Sequence, residues 1–224
     1  GASMTAYMEG GFIPEAVINY LSLLGWSPKD DRQLLSKDEL IRLFDIPQIL
    51  RSNGRFDGTK LAWMNAEHIK LLPAERYREL CMEWLERSGI KTDSYTSEYI
   101  QNALETCREK IKLMPNISEF AGFYFTEEPE MSPDALGALG SDYKESFSKL
   151  RDRYSRLDSF DAETLQASLK SMAEELGVKA GLLIHPARIA CTGAKIGPSL
   201  YHLMEVLGKD RVLSRFDRLL VSGT

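Results

Sequence analysis

Residues 161–181, DAETLQASLKSMAEELGVKAG, carry the pattern that decides the fold. Asp161 puts a side-chain acceptor just ahead of a first helical turn, where backbone N–H groups lack partners. Apolar residues follow at 165, 169, 172, 173 and 176, one face of a helix, and Gly177 stands where a left-handed residue ends one. The same grammar recurs along the chain. In FIPEAVINYLSLLGW (12–26), Pro14 suits a first turn, Val17, Ile18, Leu21 and Leu24 share a face, and Gly25 ends it. Ser36 and Glu39 have the three-residue spacing of a reciprocal capping pair. Tyr77, Leu80, Trp84 and Leu85, then Ile100, Leu104 and Ile111, extend the helical period through 74–114. Pro198 sits at a first-turn position ahead of Leu200, Leu203, Met204 and Leu207, and residues 210–220, DRVLSRFDRLL, give a last helix. No strand alternation competes, so the fold class is all-α, built of helix bundles.

Turn signals punctuate these helices. Ser52-Asn53-Gly54 and Asp57-Gly58 predict tight turns, and the acidic, proline-containing stretch 125–140, FTEEPEMSPDALGALG, is the best linker candidate. A length of 224 residues with 43% hydrophobic content suffices for real cores. The absence of a long apolar run and of a signal-peptide pattern predicts a cytoplasmic chain with no membrane association. Gly1-Ala2-Ser3 before Met4 reads as a cloning scar.

The chemistry is sparse. Cys81, Cys107 and Cys191 have no CxxC spacing, which predicts buried reduced thiols rather than disulfides or zinc. His68, His185 and His202 share no ligand spacing, so no metal site is expected and the histidines are assigned to surface or capping positions. The stretch CTGAKIGPS (191–199) superficially resembles a phosphate loop, but it lacks a Lys-Ser/Thr pair after its last glycine, and Pro198 has no N–H to offer. There is no GxSxG elbow, and the pairs Glu127-Glu128 and Glu174-Glu175 simply face water. No catalytic and no cofactor-binding residue is predicted.

Net charge is −5, yet the residues from Gly177 onward carry a net +4, leaving −9 for the rest. Lys179, Arg188, Lys195, Lys209, Arg211, Arg215 and Arg218 make this either an anion-facing end or an arginine-rich solvated helix face. At one place the residues converge on a role. In RIACTGAKIGPSLYHLMEVLG (188–208), Arg188, Thr192 and the start of the Pro198 helix offer a guanidinium fork and helix amides to an acceptor-rich ligand. RNA bases and phosphates fit that description. The competing role for Arg188 is a pairing with a neighbouring carboxylate or helix end.

GGFIPEAVINYLSLLGWS (10–27), KLAWMN (60–65) and ARIACTGAKIGPSLYHLMEVLGKDRVLSRF (187–216), in this order, resemble the C-terminal half of bacterial-type glutamyl-tRNA synthetases over essentially the whole chain. The departures are mild: Cys191 and Ala187 stand where the family usually has leucine. The chain carries no His-Ile-Gly-His type motif, no Lys-Met-Ser-Lys-Ser type loop and no strand–helix alternation for a nucleotide-binding fold. The resemblance therefore implies a stem-contact region at 4–74, a first anticodon-binding subdomain at 75–130 and a second at 131–224, after the scar at 1–3. It implies glutamate tRNA as partner, a monomer, ATP and Mg as cofactors of the parent enzyme only, and no adenylation or charging by this chain alone. The family's anticodon contacts fall on Arg188, Gly197, Pro198 and Leu200, with a further contact, to the third anticodon base, on Lys110. Unstacked loop bases expose edges that a guanidinium can bond or stack on, which makes these positions physically suitable. Asn65 and Trp63 match a tRNA-contacting segment, though helical spacing from Phe56 places Trp63 in the core. Two other readings compete: a helical scaffold whose basic end binds an acidic protein, and a phosphate-processing enzyme using CTGAKIG.

Overall fold

The computed structural model describes residues 3–49, 54–140 and 143–222; Gly1, Ala2 and the Ser52-Asn53 half of the first turn signal lie outside these. All regular elements among the described residues are helical, with a single isolated bridge between Trp26 and Ile49. The chain forms two compact units, residues 1–89 with 111–118, and residues 90–110 with 119–224.

The first unit holds α1 (Met4–Glu9), α2 (Pro14–Gly25), α3 (Lys37–Leu43), α4 (Gly58–Leu71) and α5 (Ala74–Arg87). Ser3, taken above for scar, caps α1 by accepting from the Ala6 N–H at 3.2 Å. The predicted capping pair closes on α3: Ser36 Oγ accepts from the Glu39 N–H, and Glu39 Oε2 accepts from the Ser36 N–H. Asp57-Gly58 is a helix start rather than a turn, because the Asp57 carboxylate accepts two free amides in the first turn of α4, those of Thr59 and Lys60.

The buried face of α2 also differs from its apolar spacing. Ala16, Val17, Asn19 and Tyr20 are buried, while Leu21 is exposed. Polar bonds turn the helix this way. Tyr20 Oη accepts the Asp57 N–H at 2.5 Å, and its ring joins Leu61 and Met64 in one core cluster. Asn19 Oδ1 accepts the Leu35 N–H at 3.0 Å. That bond fixes the amide orientation, so His68 Nε2, 2.8 Å from the same oxygen, carries a proton and donates. Asn65 ties two distant segments together, accepting from the Ile13 N–H at 2.8 Å and donating to the Lys112 carbonyl at 2.7 Å. Segment 111–118 returns to this unit instead of continuing the helix before it. The Met114 N–H donates to the Gly11 carbonyl, and a Cβ on Gly11 (φ +86°) would stand 2.2 Å from Pro115 Cδ.

His68 is therefore a core residue, not the surface or capping residue the sequence suggested. Burial lowers its pKa, with Glu15 opposing weakly. A histidine buried neutral contributes stability that is complete above the unfolded pKa, about 6.5, and declines as pH falls below it. Urea midpoints should hence drop between pH 7.5 and 5.5 for the wild type and less for His68→Gln.

The second unit contains α6 (Ser97–Cys107), α7 (Asn116–Ala121, which begins in the return segment), α8 (Pro133–Gly137), α9 (Tyr143–Ser155), α10 (Ala162–Leu176), α11 (Gly181–Thr192), α12 (Leu200–Leu207) and α13 (Lys209–Ser222). Asp161 caps α10 through the Thr164 N–H at 2.8 Å, and Gly177 ends it in the left-handed region, as its sequence dictates. α11 packs against α9 and α13, α9 packs against α13, and Phe147 meets Phe216 at 4.6 Å between ring centres. α12 lies on α10 and α6. All three cysteines are free and buried, and burial pushes the Cys107 and Cys191 thiols up to about 12, so neither is a nucleophile.

The stretch proposed as a linker is bound within this unit. Arginines of α13 hold its carbonyls: Arg211 donates to Thr126 O at 2.7 Å, Arg215 to Glu127 O at 3.3 Å and Arg218 to Pro129 O at 2.6 Å. Further on, the Ser132 N–H donates to the Gly193 carbonyl at 3.0 Å. Ahead of α8, where this stretch lacks regular structure, guanidinium donors meet its carbonyls.

Candidate nucleic-acid interface

α11 ends at Gly193 (φ +75°), whose N–H closes the last turn on Ile189 O at 2.8 Å. Thr192 Oγ1 bonds the Arg188 carbonyl at 2.8 Å and accepts the Ala194 N–H at 3.1 Å, fixing the exit of the chain. The following turn pairs Lys195 with Asp134 at 2.6 Å and exposes 67% of Ile196. α12 then starts at Leu200 with Ser199 as its N-cap. Pro198 is thus one residue outside the helix rather than in its first turn, because its carbonyl is turned to Arg188, whose Nη1 donates to it at 2.7 Å. Gly197 lies beside the same group; a Cβ there would come 3.2 Å from Arg188 Nη1.

Arg188 is half-buried, and that burial lowers its pKa; a guanidinium stays charged nonetheless. Among the described residues only Nη1 has a partner, so Nε and Nη2 remain as an unused donor edge. This geometry brings together Arg188, Gly197 and Pro198. Pro198 is itself buried, so what it contributes is the anchored carbonyl and the shape of the turn, and Leu200 is buried too, which leaves it a packing role at the helix start. Lys110 sits exposed in the 3₁₀ turn Arg108–Lys110 after α6 and is not among the residues meeting at Arg188.

Most of the basic C-terminal charge is committed to backbone carbonyls, through Arg188, Lys209, Arg211, Arg215 and Arg218, a use that differs from both an anion-facing end and a solvated face. Arg215 is 2% exposed and donates to the carbonyls of Cys191, Phe123, Thr126 and Glu127. Arg211 bonds Tyr99 Oη at 2.6 Å and lies 5.6 Å from the ring centre of Tyr95. Lys209 donates to Leu157 O at 2.8 Å. A signal for this existed: 211, 215 and 218 share one helix face beside the apolar stripe 212, 216 and 219. Trp63, assigned to the core from its spacing, is 45% exposed on α4, since the buried face there is taken by Leu61, Met64, Asn65 and His68. A phosphate-processing role for the turn fares poorly, with Lys195 paired to a carboxylate and Pro198 unable to donate.

Residues 76–220 match the model described as "Anticodon binding domain". The chain belongs to the anticodon-binding domain family. Residues 2–63, ahead of this anticodon-binding domain, match "tRNA synthetases class I (E and Q), catalytic domain". Among sequence relatives, the glutamate–tRNA ligase of Methylacidiphilum infernorum is 35% identical over 96% of this chain and 49% of its own length. That of Akkermansia muciniphila is 35% identical over 96% of the chain and 48% of its own length. The crystal structure of a glutamate tRNA ligase from Elizabethkingia meningosepticum superposes with a TM-score of 0.83 at 26% identity, covering 97% of this chain and 43% of that one. The anticodon-binding domain and the segment before it thus correspond to the C-terminal half of such ligases, and the chain spans about half the length of the curated relatives it matches.

Proposed function

We propose that this chain grips glutamate tRNA for a glutamate–tRNA ligase and reads its anticodon through the turn after α11. The observation that carries the reading is Arg188: Nη1, beside Gly197, anchors the Pro198 carbonyl, while Nε and Nη2 make no hydrogen bond among the described residues. A splayed anticodon base presents acceptors to such a fork and can stack on its plane. Lys110 is proposed as a separate contact that influences the third anticodon base, as a point charge rather than a planar reader. The division of labour follows the sequence reading, with 4–74 on the tRNA stem and 75–130 and 131–224 on the anticodon arm. The ATP and Mg chemistry of amino-acid activation belongs to the parent ligase. This chain alone would act as a cytoplasmic monomer that binds tRNA without charging it.

Titrating the chain with unmodified glutamate-tRNA transcript and an anticodon-swapped transcript, at two salt concentrations, tests the reading. Tighter binding of the cognate transcript is expected. Arg188→Ala should weaken cognate binding by about 1–3 kcal/mol and noncognate binding less, as for loss of a base contact. An equal loss for both, fading with salt, would reduce Arg188 to a backbone contact. A flat titration at low salt would favour a protein-binding scaffold instead.

A further inference from the structure

Beside the N-terminal turn of α12 lies a cleft of about 620 Å³ between α6 and α12, within the second unit. Most of its polar lining is already committed. Tyr99 Oη donates to Tyr124 O and accepts from Arg211, so Tyr99 contributes its ring. Thr106 Oγ1 donates to Ala103 O and meets Tyr124 Oη. Glu105 is held by two nitrogens of Arg108, at 2.7 and 2.8 Å. Ser199 Oγ bonds His202 Nδ1 at 2.8 Å, which leaves His202 Nε2. Asn102 and Glu205 are both exposed, and neither side chain makes a hydrogen bond or ion pair among the described residues. No lysine or arginine lines the cleft.

From this inventory we infer that the α6–α12 cleft takes one unstacked nucleobase that bears an exocyclic amine, selected by Glu205 and oriented by Asn102. The inference rests on the anticodon-reading proposal and extends it to a second base position. A cleft with an uncommitted carboxylate and no cation repels phosphate but suits a flat, neutral ligand carrying donors. Glu205 accepts from the amine of cytosine, adenine or guanine and repels the carbonyl that uracil offers in the same place. The Asn102 amide supplies both a donor and an acceptor to a base edge, and Tyr99 and Val206 give the apolar wall against which a ring can lie.

The test uses the full chain and labelled anticodon stem–loop hairpins of glutamate tRNA in which each anticodon base is replaced singly by the other three. At one anticodon position the wild type should prefer amine-bearing bases over uracil by about tenfold. Glu205→Gln, which keeps the shape and offers uracil a donor, should cut that preference to about twofold while the profile at the other positions stays. Asn102→Ala should weaken all four bases at that same position and no other. Circular-dichroism melts would confirm that both exposed substitutions leave the fold intact. An unchanged profile in Glu205→Gln, or equal tightening of every hairpin, overturns the inference and leaves the anticodon reading standing. If the wild type binds no hairpin better than one with a scrambled loop, both fall.

Discussion

Replacing Arg215 with methionine should destabilise the second unit by about 4 kcal/mol, the cost of taking this donor from the Cys191, Phe123 and Glu127 carbonyls, while Thr126 O keeps Arg211. The side chain is 2% exposed and reaches Phe123 O at 2.8 Å and Glu127 O at 3.3 Å, besides Cys191 and Thr126. Methionine fills similar volume, so cavity formation contributes little and the loss reports the unmet carbonyls. For a chain of this size the melting temperature should fall by roughly 10 °C. Lysine should recover only a small part, because an ammonium cannot span the carbonyls of 123–127 and of Cys191 at once as a planar fork does. Scanning calorimetry of the three proteins measures it. A loss under about 1 kcal/mol in Arg215→Met would mean that water reaches those carbonyls.

Gly193→Ala is the second large effect. The residue has φ +75°, and a Cβ there would stand 2.0 Å from the Glu130 carbonyl oxygen, a backbone atom held in place by the Ser132 to Gly193 bond. The left-handed conformation alone costs a residue with a Cβ about 1 kcal/mol. Relief of the overlap requires the 130–132 backbone or the end of α11 to shift, and a total of about 3 kcal/mol or more is expected. Gly177→Ala separates the two contributions. Gly177 is also left-handed, at φ +64°, but a Cβ there meets nothing within 4 Å, so only the conformational part, about 1 kcal/mol, should appear. Since the turn after Gly193 carries Lys195 to Pro198, Gly193→Ala should also weaken tRNA binding at temperatures where the fold persists, whereas Gly177→Ala should not. Chemical denaturation and transcript titration of the two variants give the comparison.

Several features were readable residue by residue because their causes are local. Ser36 with Glu39, and Asp161 with Thr164, bond across three positions, and Gly177 satisfies a steric rule of its own backbone. An all-α chain follows from such signals without knowledge of any distant contact. The three arginines of α13 were visible as charge, and their spacing as a single face, but their partners were not. Arg215 bonds a carbonyl 92 positions away. Asn19 and Tyr20 turned α2 against its own apolar spacing because the Leu35 and Asp57 amides needed acceptors.

The candidate site divides along the same line. The stretch 188–208 supplied a guanidinium, a glycine-proline turn and a helix start, all read directly from the order of residues. Folding decided that Pro198 stays outside α12, that Leu200 goes into the core, and that Arg188 spends one nitrogen on a carbonyl and keeps an edge for a ligand. By itself the sequence determined where helices begin and end, since those depend on bonds within a turn. Only the tertiary structure decided which polar groups remain unspent, because a donor is committed or free according to carbonyls that the fold brings to it from far along the chain.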